Sequence, residues 1–229
     1  MNEWEGTFVV TGSASGIGAA VTKMLRERGA MVVGIDIGEP VGPEKHEQVS
    51  VDDEHALAAI ETGPLLGVVH AAGVLRTGSL FDDAQQEALN LMFDVHVRGL
   101  LAVARAFAPR IVEGGRFVSV SSNAASTPRL GMGAYCASKA AETMLTRCIG
   151  LELAPRGIRV NVVAPGSTDT PMLRSMLPTG DLTPVVRGNL EASRLGIPLR
   201  RVGMPEDVAG AVLFLLSDAS RQITLQELR

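Results

Sequence analysis

Five short runs rich in β-branched residues punctuate the chain: Thr7 to Thr11, Ala30 to Asp36, Leu66 to His70, Gly115 to Ser121 and Ile158 to Val163. Longer stretches with helical spacing separate them. A strand joined to the next by a helix must cross over, so the next strand lies parallel to it. Regular alternation of this kind predicts an α/β fold, a doubly wound parallel sheet with helices on both faces. Helices are expected over Gly18 to Arg28, Gln85 to Arg110, Ala134 to Leu153 and Pro205 to Ser217, the last opening on a proline suited to a first helical turn. A chain of 229 residues, 46% hydrophobic, fits a single domain with a sizeable core. With six Phe, one Trp and one Tyr, that core is expected to be aliphatic.

Charge and composition narrow the function. The formal charge is −4, and no cluster of Lys and Arg could neutralise a row of phosphates, which argues against a nucleic-acid partner. The longest apolar run, Ala209 to Leu216, is far short of the roughly 20 residues that span a bilayer. The N-terminal MNEWEGT lacks the basic and apolar regions of a secretory signal. A cytoplasmic protein without a membrane partner is expected, with Cys136 and Cys148 reduced and no metal site.

The stretch FVVTGSASGIGAAV runs from a strand through a glycine-rich turn into a helix. Backbone N–H groups and the positive helix end then face one point, which suits a pyrophosphate. Gly12, Gly16 and Gly18 give the spacing G-x-x-x-G-x-G, and a glycine triplet alone also marks ordinary turns. Asp36, at the end of the second strand, strengthens the reading, because a carboxylate there accepts both hydroxyls of an adenosine ribose. The same charge repels a 2′-phosphate, and no Arg or Lys occurs among Ser13, Ala14, Ser15, Ile37 and Gly38, so NAD is expected rather than NADP. The proline- and glycine-bearing stretch from Thr170 to Arg201 reads as a helical flap between regular elements, and loops of that length are usually functional.

Tyr135 is the only tyrosine, and it stands four residues before Lys139 in AYCASKAAE. In a helix those side chains share a face, and a neighbouring ammonium favours the phenolate, bringing a group that titrates near pH ~10 toward the range of a general base. Ser122, thirteen residues upstream, leaves the end of a strand, where its hydroxyl can hold a substrate oxygen.

With these pieces in place the chain resembles the short-chain dehydrogenase/reductase family over almost its full length. The matching segments are TGSASGIG, HAAG at 70–73, Ser122 with YCASK, RVNVVAPG, and Thr170 within PGSTDT. The resemblance implies a Rossmann-like domain and a nicotinamide cofactor, with Ser122, Tyr135 and Lys139 as the catalytic set. It places Gly12, Ser15, Gly16, Ile17, Gly18, Asp36, Ser50, Val51, Ala71, Ala72, Gly73, Tyr135, Lys139, Pro165, Gly166, Thr168 and Thr170 along the cofactor. Assembly as a homotetramer or homodimer is implied too.

The variable segments, among them STPRLGMGAYCASKAA, LGIPLRRVGMPEDVA and ITLQEL, resemble the branch of the family that oxidises dihydroaromatic carboxylates to aromatic acids. A substrate carboxylate calls for a guanidinium. Arg76 and Arg129, both on crevice loops, are the candidates, Arg174 a weaker third. Met132, Met172 and Met176 could line a pocket for the ring. Two alternatives stay open: a substrate with an amine in place of the C2 hydroxyl, and a catalytically silent NAD-binding sensor.

Several departures from the family pattern carry expectations of their own. His96 falls where the family has an asparagine that holds a relay water, which leaves two expectations open: an altered proton relay through His96, or a helix histidine with no catalytic part. His70 replaces the first asparagine of NAAG, which puts a support contact near the adenosine in question. Ser50, with Asp52 as its neighbour, takes the place of an aspartate that meets the adenine amino group. The chain between Asp53 and His70 is short, so its helix must be clipped, and the sequence stops at ITLQELR where family members continue into a last strand, so either a tail follows or the edge strand is missing.

Overall fold

The computed structural model describes residues 3–39, 45–177, 179–191 and 193–229. Among them, β1 (Thr7–Thr11), β2 (Met31–Asp36), β3 (Lys45–Gln48), β4 (Leu65–His70), β5 (Ile111–Val120), β6 (Arg159–Val163) and β7 (Glu227–Leu228) form one sheet. Its order is β3-β2-β1-β4-β5-β6-β7, and every pairing is parallel. The helices are α1 (Gly16–Arg26), α2 (Glu54–Ala59), α3 (Gln85–Phe93), α4 (Gly99–Phe107), α5 (Gly133–Leu153), α6 (Pro171–Arg174), α7 (Thr183–Arg187) and α8 (Pro205–Leu216).

Alternation along the strands divides the core. Val9, Val33, Ile35, Val68, Phe117 and Val160 pack with Leu57, Leu100, Val103, Phe107 and Ile149, from α2, α4 and α5. Their strand neighbours Phe8, Val10, Val32, Val69, Val118 and Val163 pack with Val21 and Leu25 of α1 and with Val208, Val212 and Leu216 of α8. Both faces are therefore covered, and the inner strands are apolar on both sides, as a parallel sheet requires. Trp4 closes the second layer below β1, its ring 6.2 Å from that of Phe8 with the Arg28 guanidinium over it.

Elements built from apolar patterns fall within a few residues of their expected places. Two strands do not show in such a pattern. β3 reads KHEQ and lies at the sheet edge with no buried residue, so it has no apolar face to signal it. The missing edge strand is corrected: Glu227 and Leu228 pair with Val162 and Val163, and Glu227 meets Arg147 at 2.9 Å. The clipped helix is α2, with six residues. The long helix expected over 85–110 is broken by a π turn at Asp94–Arg98 and ends in a 3₁₀ turn at Ala108–Arg110. Such single π turns concentrate at functional sites, and this one carries His96. Two short helices, α6 and α7, occupy the 170–201 segment, in which Pro178 and Ala192 lie outside the described residues.

Candidate active site

The first cleft forms where the strand order reverses, between the carboxyl ends of β1 and β4, the usual ligand position in an open parallel sheet. Gly12 leaves β1 with φ +69°, and a Cβ there would stand 2.8 Å from the backbone of Ala71 and Ala72. Only glycine lets the turn pass this close to the end of β4. A Cβ on Gly18 would fall 2.1 Å from the Gly12 carbonyl oxygen, so α1 also packs tightly on the turn. Ser15, the residue before α1, makes no side-chain cap, which leaves the first-turn N–H groups facing the cleft.

The cleft encloses about 530 Å³, lined by the glycine turn from Gly12 to Gly18, Asp36 to Glu39, Val49 to Val51, Ala71 to Val74, Val95 and Thr170 to Met172. Asp36 is fixed at its edge: Ala14 N–H donates to Oδ2 and Gly38 N–H to Oδ1, both at 2.9 Å. The charged residues of the lining, Asp36 and Glu39, are both acidic. Ser50 donates its hydroxyl proton to Asp52, which leaves the Ser50 oxygen free to accept a hydrogen bond. A nicotinamide dinucleotide fits these groups: helix N–H donors for the pyrophosphate, a carboxylate for a ribose diol, and an acceptor beside the adenine position.

Of the positions expected along the cofactor, Gly12, Ser15, Gly16, Ile17, Gly18, Asp36, Ser50, Val51, Ala71, Ala72, Gly73 and Thr170 line this cleft. Tyr135, Lys139, Pro165, Gly166 and Thr168 do not. The Pro165 carbonyl accepts from Asn123 N–H, and the buried Thr168 turns its hydroxyl to the Gly166 carbonyl at 3.3 Å. Met172, expected at the substrate ring, lines the cofactor cleft instead.

His70 is fully buried, with Nδ1 3.0 Å from Thr11 Oγ1, and that oxygen also accepts from Ala71 N–H and Ala72 N–H at 3.2 Å. Its two acceptor positions are filled, so the threonine hydroxyl donates to Nδ1 and the ring carries its proton on Nε2. Burial, and next the charge of Lys139, lower the His70 pKa to about 3, keeping the ring neutral. His70 therefore does carry a support contact, tying the ends of β1 and β4 together.

Ser122 ends the β5 approach, and its oxygen accepts from Ala124 N–H at 3.1 Å, so its proton is free to donate. Tyr135 and Lys139 lie on consecutive turns of α5, both buried. Tyr135 sits in a cluster with Met92, Ala124, Met132 and Ala134, against which Val74 of the cofactor cleft packs. Lys139 reaches toward the same cleft: a Cβ on Gly73 would lie 3.6 Å from its Nζ. The ammonium donates to the Val120 carbonyl at 3.2 Å and contacts the Glu142 carboxylate at 2.6 Å.

The relay through His96 needs correction. Val74 N–H donates to Nε2 at 3.0 Å, and Nδ1 lies 2.9 Å from Ser138 Oγ, whose own proton goes to the Tyr135 carbonyl. Nδ1 must then be the protonated nitrogen, and both ring nitrogens are engaged with protein. Burial, and next the charge of Lys139, hold the imidazole well below its ordinary pKa. His96, edge-on to Tyr135 at 5.6 Å between ring centres, positions the helix and the ring and has no nitrogen left for a water.

A second cavity of about 570 Å³ is lined by Thr77 to Phe81, Arg129 to Gly131, Gly133, Met176 and Arg194; Tyr135 is not in its lining, but Gly133 opens the helix that carries it. Arg129 donates to Asn123 Oδ1, and Arg194, brought in from the 170–201 segment, approaches the sulfur of Met132 at 3.6 Å. Burial, then the positive charge of Arg194, hold the Arg129 guanidinium below its ordinary pKa, while the groups that favour its charge are Cys136 and Tyr135. No carboxylate pairs with either guanidinium among the described residues. Arg194 is the group that sequence reasoning missed, since 65 positions separate it from Arg129 and no motif marks it. Arg76 is corrected: it is exposed, donates to the Leu75 carbonyl and lines neither cavity. Arg174 is taken by Asp169, at 2.6 and 2.7 Å. Met132 is buried beneath the cavity, not in its lining.

Known proteins resemble this chain over most of its length. A family model described as enoyl-(acyl carrier protein) reductase matches residues 12–229. A 2,3-dihydro-2,3-dihydroxybenzoate dehydrogenase of Escherichia coli (strain K12) is 40% identical, with 96% of this chain and 92% of the relative covered. The enzyme of the same name from Bacillus subtilis (strain 168) is 37% identical over the same shares. A short-chain dehydrogenase family protein from Francisella tularensis superposes with a TM-score of 0.85 at 28% identity, covering 97% of this chain and 95% of the other. A chain with this sheet, this glycine turn and these relatives belongs to the short-chain dehydrogenase/reductase family, and is a dehydrogenase of it.

Proposed function

We propose that the protein oxidises the C3 hydroxyl of a trans-2,3-dihydro-2,3-dihydroxybenzoate-type carboxylate with NAD, giving the aromatic acid that catechol siderophores contain. The observation that carries this reading is the pair Arg129 and Arg194, two guanidiniums that share a cavity and have no carboxylate partner among the described residues, with Tyr135 close enough to Arg129 to favour its charge. Such a pair fits a substrate carboxylate, and the apolar Leu80, Phe81, Leu130 and Met176 around it fit a ring. The named relatives act on a substrate of that kind, by their names.

The chain's own groups then divide the work. A bound nicotinamide supplies the hydride acceptor. Asp36, with Glu39 near it and no cation in the lining, favours the ribose diol of NAD over a 2′-phosphate. Ser122 donates its free proton to the C3 oxygen and holds it, and the phenolate of Tyr135 takes the proton of that hydroxyl. Lys139 stabilises the phenolate by its charge. Arg129 and Arg194 fix the carboxylate, which sets the face of the ring presented at C3. The C3 ketone then passes its C2 hydrogen to oxygen and becomes aromatic, which draws the reaction toward oxidation.

On this reading the chain is one domain, with residues 170–201 as a flap that brings Arg194 over the substrate. It acts in the cytoplasm as a homodimer or homotetramer. The test is turnover: purified protein with NAD and the dihydrodiol acid is expected to yield reduced nicotinamide and the aromatic product. The 2-amino counterpart, and NADP in place of NAD, are the comparison arms. Absence of turnover with either acid overturns the reading, faster turnover of the amine moves it to that substrate, and preference for NADP overturns the role of Asp36.

A further inference from the structure

Glu142 is a carboxylate with no exposed surface, three residues after Lys139 on α5. One oxygen contacts the Lys139 ammonium at 2.6 Å, and the other accepts from Ser119 Oγ of β5 at 2.8 Å. The mechanism above gives this group no task, and a buried charge is not neutral in its effects. The other groups that face Lys139 are the Val120 carbonyl of β5, His70 at the end of β4, His96 in the π turn, and Tyr135 one turn earlier on α5. Both imidazoles are held neutral by burial. Glu142 is thus the negative charge at hand for an ammonium that is 3% exposed.

Lys139 and Tyr135 stand one turn apart on α5, at a spacing where two titratable groups can couple. When the pair gives up its first proton, two products with the same total charge are possible: ammonium with phenolate, or neutral amine with phenol. Only the first is a base at Tyr135. A desolvated lysine without a counter-charge is prone to be the one that loses its proton, with shifts of several units on record for such groups. A carboxylate against the ammonium reverses that order, because it favours the charged lysine far more than it disfavours the more distant phenolate.

We propose that Glu142 is a positioning residue that acts through Lys139: its carboxylate keeps the proton on the buried ammonium, so that Tyr135 is the member of the pair that ionises. The Ser119 hydroxyl supports it by donating to the carboxylate, which burial otherwise pushes toward its neutral form. The inference rests on the proton-acceptor role given to Tyr135 above, but its test does not need turnover.

Tyr135 is the only tyrosine in the chain, so the ultraviolet absorbance of tyrosinate reports this one phenol. Tyr135→Phe supplies the blank. In Glu142→Gln the tyrosinate midpoint is expected to rise by about one pH unit or more, roughly tenfold in the equilibrium. The turnover rate near neutral pH should fall by a similar factor, and Glu142→Asp should bring the midpoint back toward the wild-type value. A midpoint that is unchanged or lower in Glu142→Gln overturns the proposal. A second measurement uses the wild-type protein and does not depend on the variant folding. Lys139 shares the chain with only Lys23 and Lys45, so lysine ¹⁵Nζ resonances can be assigned and followed against pH. Lys139 is expected to remain protonated above the tyrosinate midpoint, and loss of its proton at or below that midpoint overturns the proposal. If neither dihydro acid is turned over while both titrations behave as expected, the substrate reading fails and the role of Glu142 stands.

Discussion

Arg194 is brought beside Arg129 by a segment 65 positions away in the sequence. If it holds the substrate carboxylate as proposed, replacing it with alanine removes charged hydrogen bonds worth about 1.5–3 kcal/mol. KM is therefore expected to rise roughly 10- to 100-fold with kcat much less affected, measured by steady-state kinetics at saturating NAD. Tyr135→Phe should behave in the opposite way, losing about 10²–10⁴ in kcat while still binding NAD, which a binding isotherm checks. The two buried histidines set a pH limit. His70 is held to about 3 and His96 well below 6.5 in the fold, so the unfolded chain binds more protons than the native one below pH 6.5. Their contribution to stability is present above that pH and is lost as pH falls, for His70 by about 1.4 kcal/mol per unit down to about 3. Glu142, held above its ordinary range by burial, works in the opposite sense. Melting temperatures are thus expected to fall steadily between pH 6 and 4, a slope that His70→Asn should reduce. At this scale the local spacings were legible: Tyr135 with Lys139 is a helical turn, and Asp36 ends a strand. Arg194 and Glu142 were not, since one acts across a long chain separation and the other looks, in YCASKAAE, like a solvated helix position.

The elements were legible wherever a buried face gave them a period, and only there. β3 escaped because a polar edge strand has no such face, and the π turn escaped because the largely apolar run FDVHVRGLLAVARAF reads as helix whether or not one turn holds an extra residue. Its effect is nonetheless large: it swings His96 inward to Val74 and Ser138. Arg159 on β6 does similar work at the far end of α8. Its guanidinium, buried, donates to the carbonyls of Leu215, Ser217 and Ser220 at 2.7, 3.1 and 3.2 Å and to Ser220 Oγ at 2.8 Å. A planar fork that satisfies a helix end in this way cannot be replaced by an apolar chain. Arg159→Met leaves those acceptors unpaired, so a loss of about 3 kcal/mol is expected, or roughly 6–12 °C in Tm by calorimetry. NAD affinity should be little changed, since the contact lies away from both cavities.

Across the whole molecule, the reversal of strand order between β1 and β4 gathers the glycine turn, Asp36 and the HAAG turn at one edge of the sheet, while Trp4 packs at the other. The alternation of strands and helices was enough to expect this polarity, because parallel strands all present their carboxyl ends on the same side. The size and lining of the second cavity were not to be expected, because they come from the way residues 77–81, 129–133 and Arg194 converge. The place of Trp4 has a practical consequence. As the single tryptophan, buried beneath β1 against Phe8 and away from the cofactor, it is an emission reporter of global unfolding that is deaf to events at the active edge. Adding oxidised NAD should leave its emission maximum in place, and urea should red-shift it in one transition. The protein therefore carries two separate optical channels, the Tyr135 ring at the candidate site and the Trp4 ring in the core.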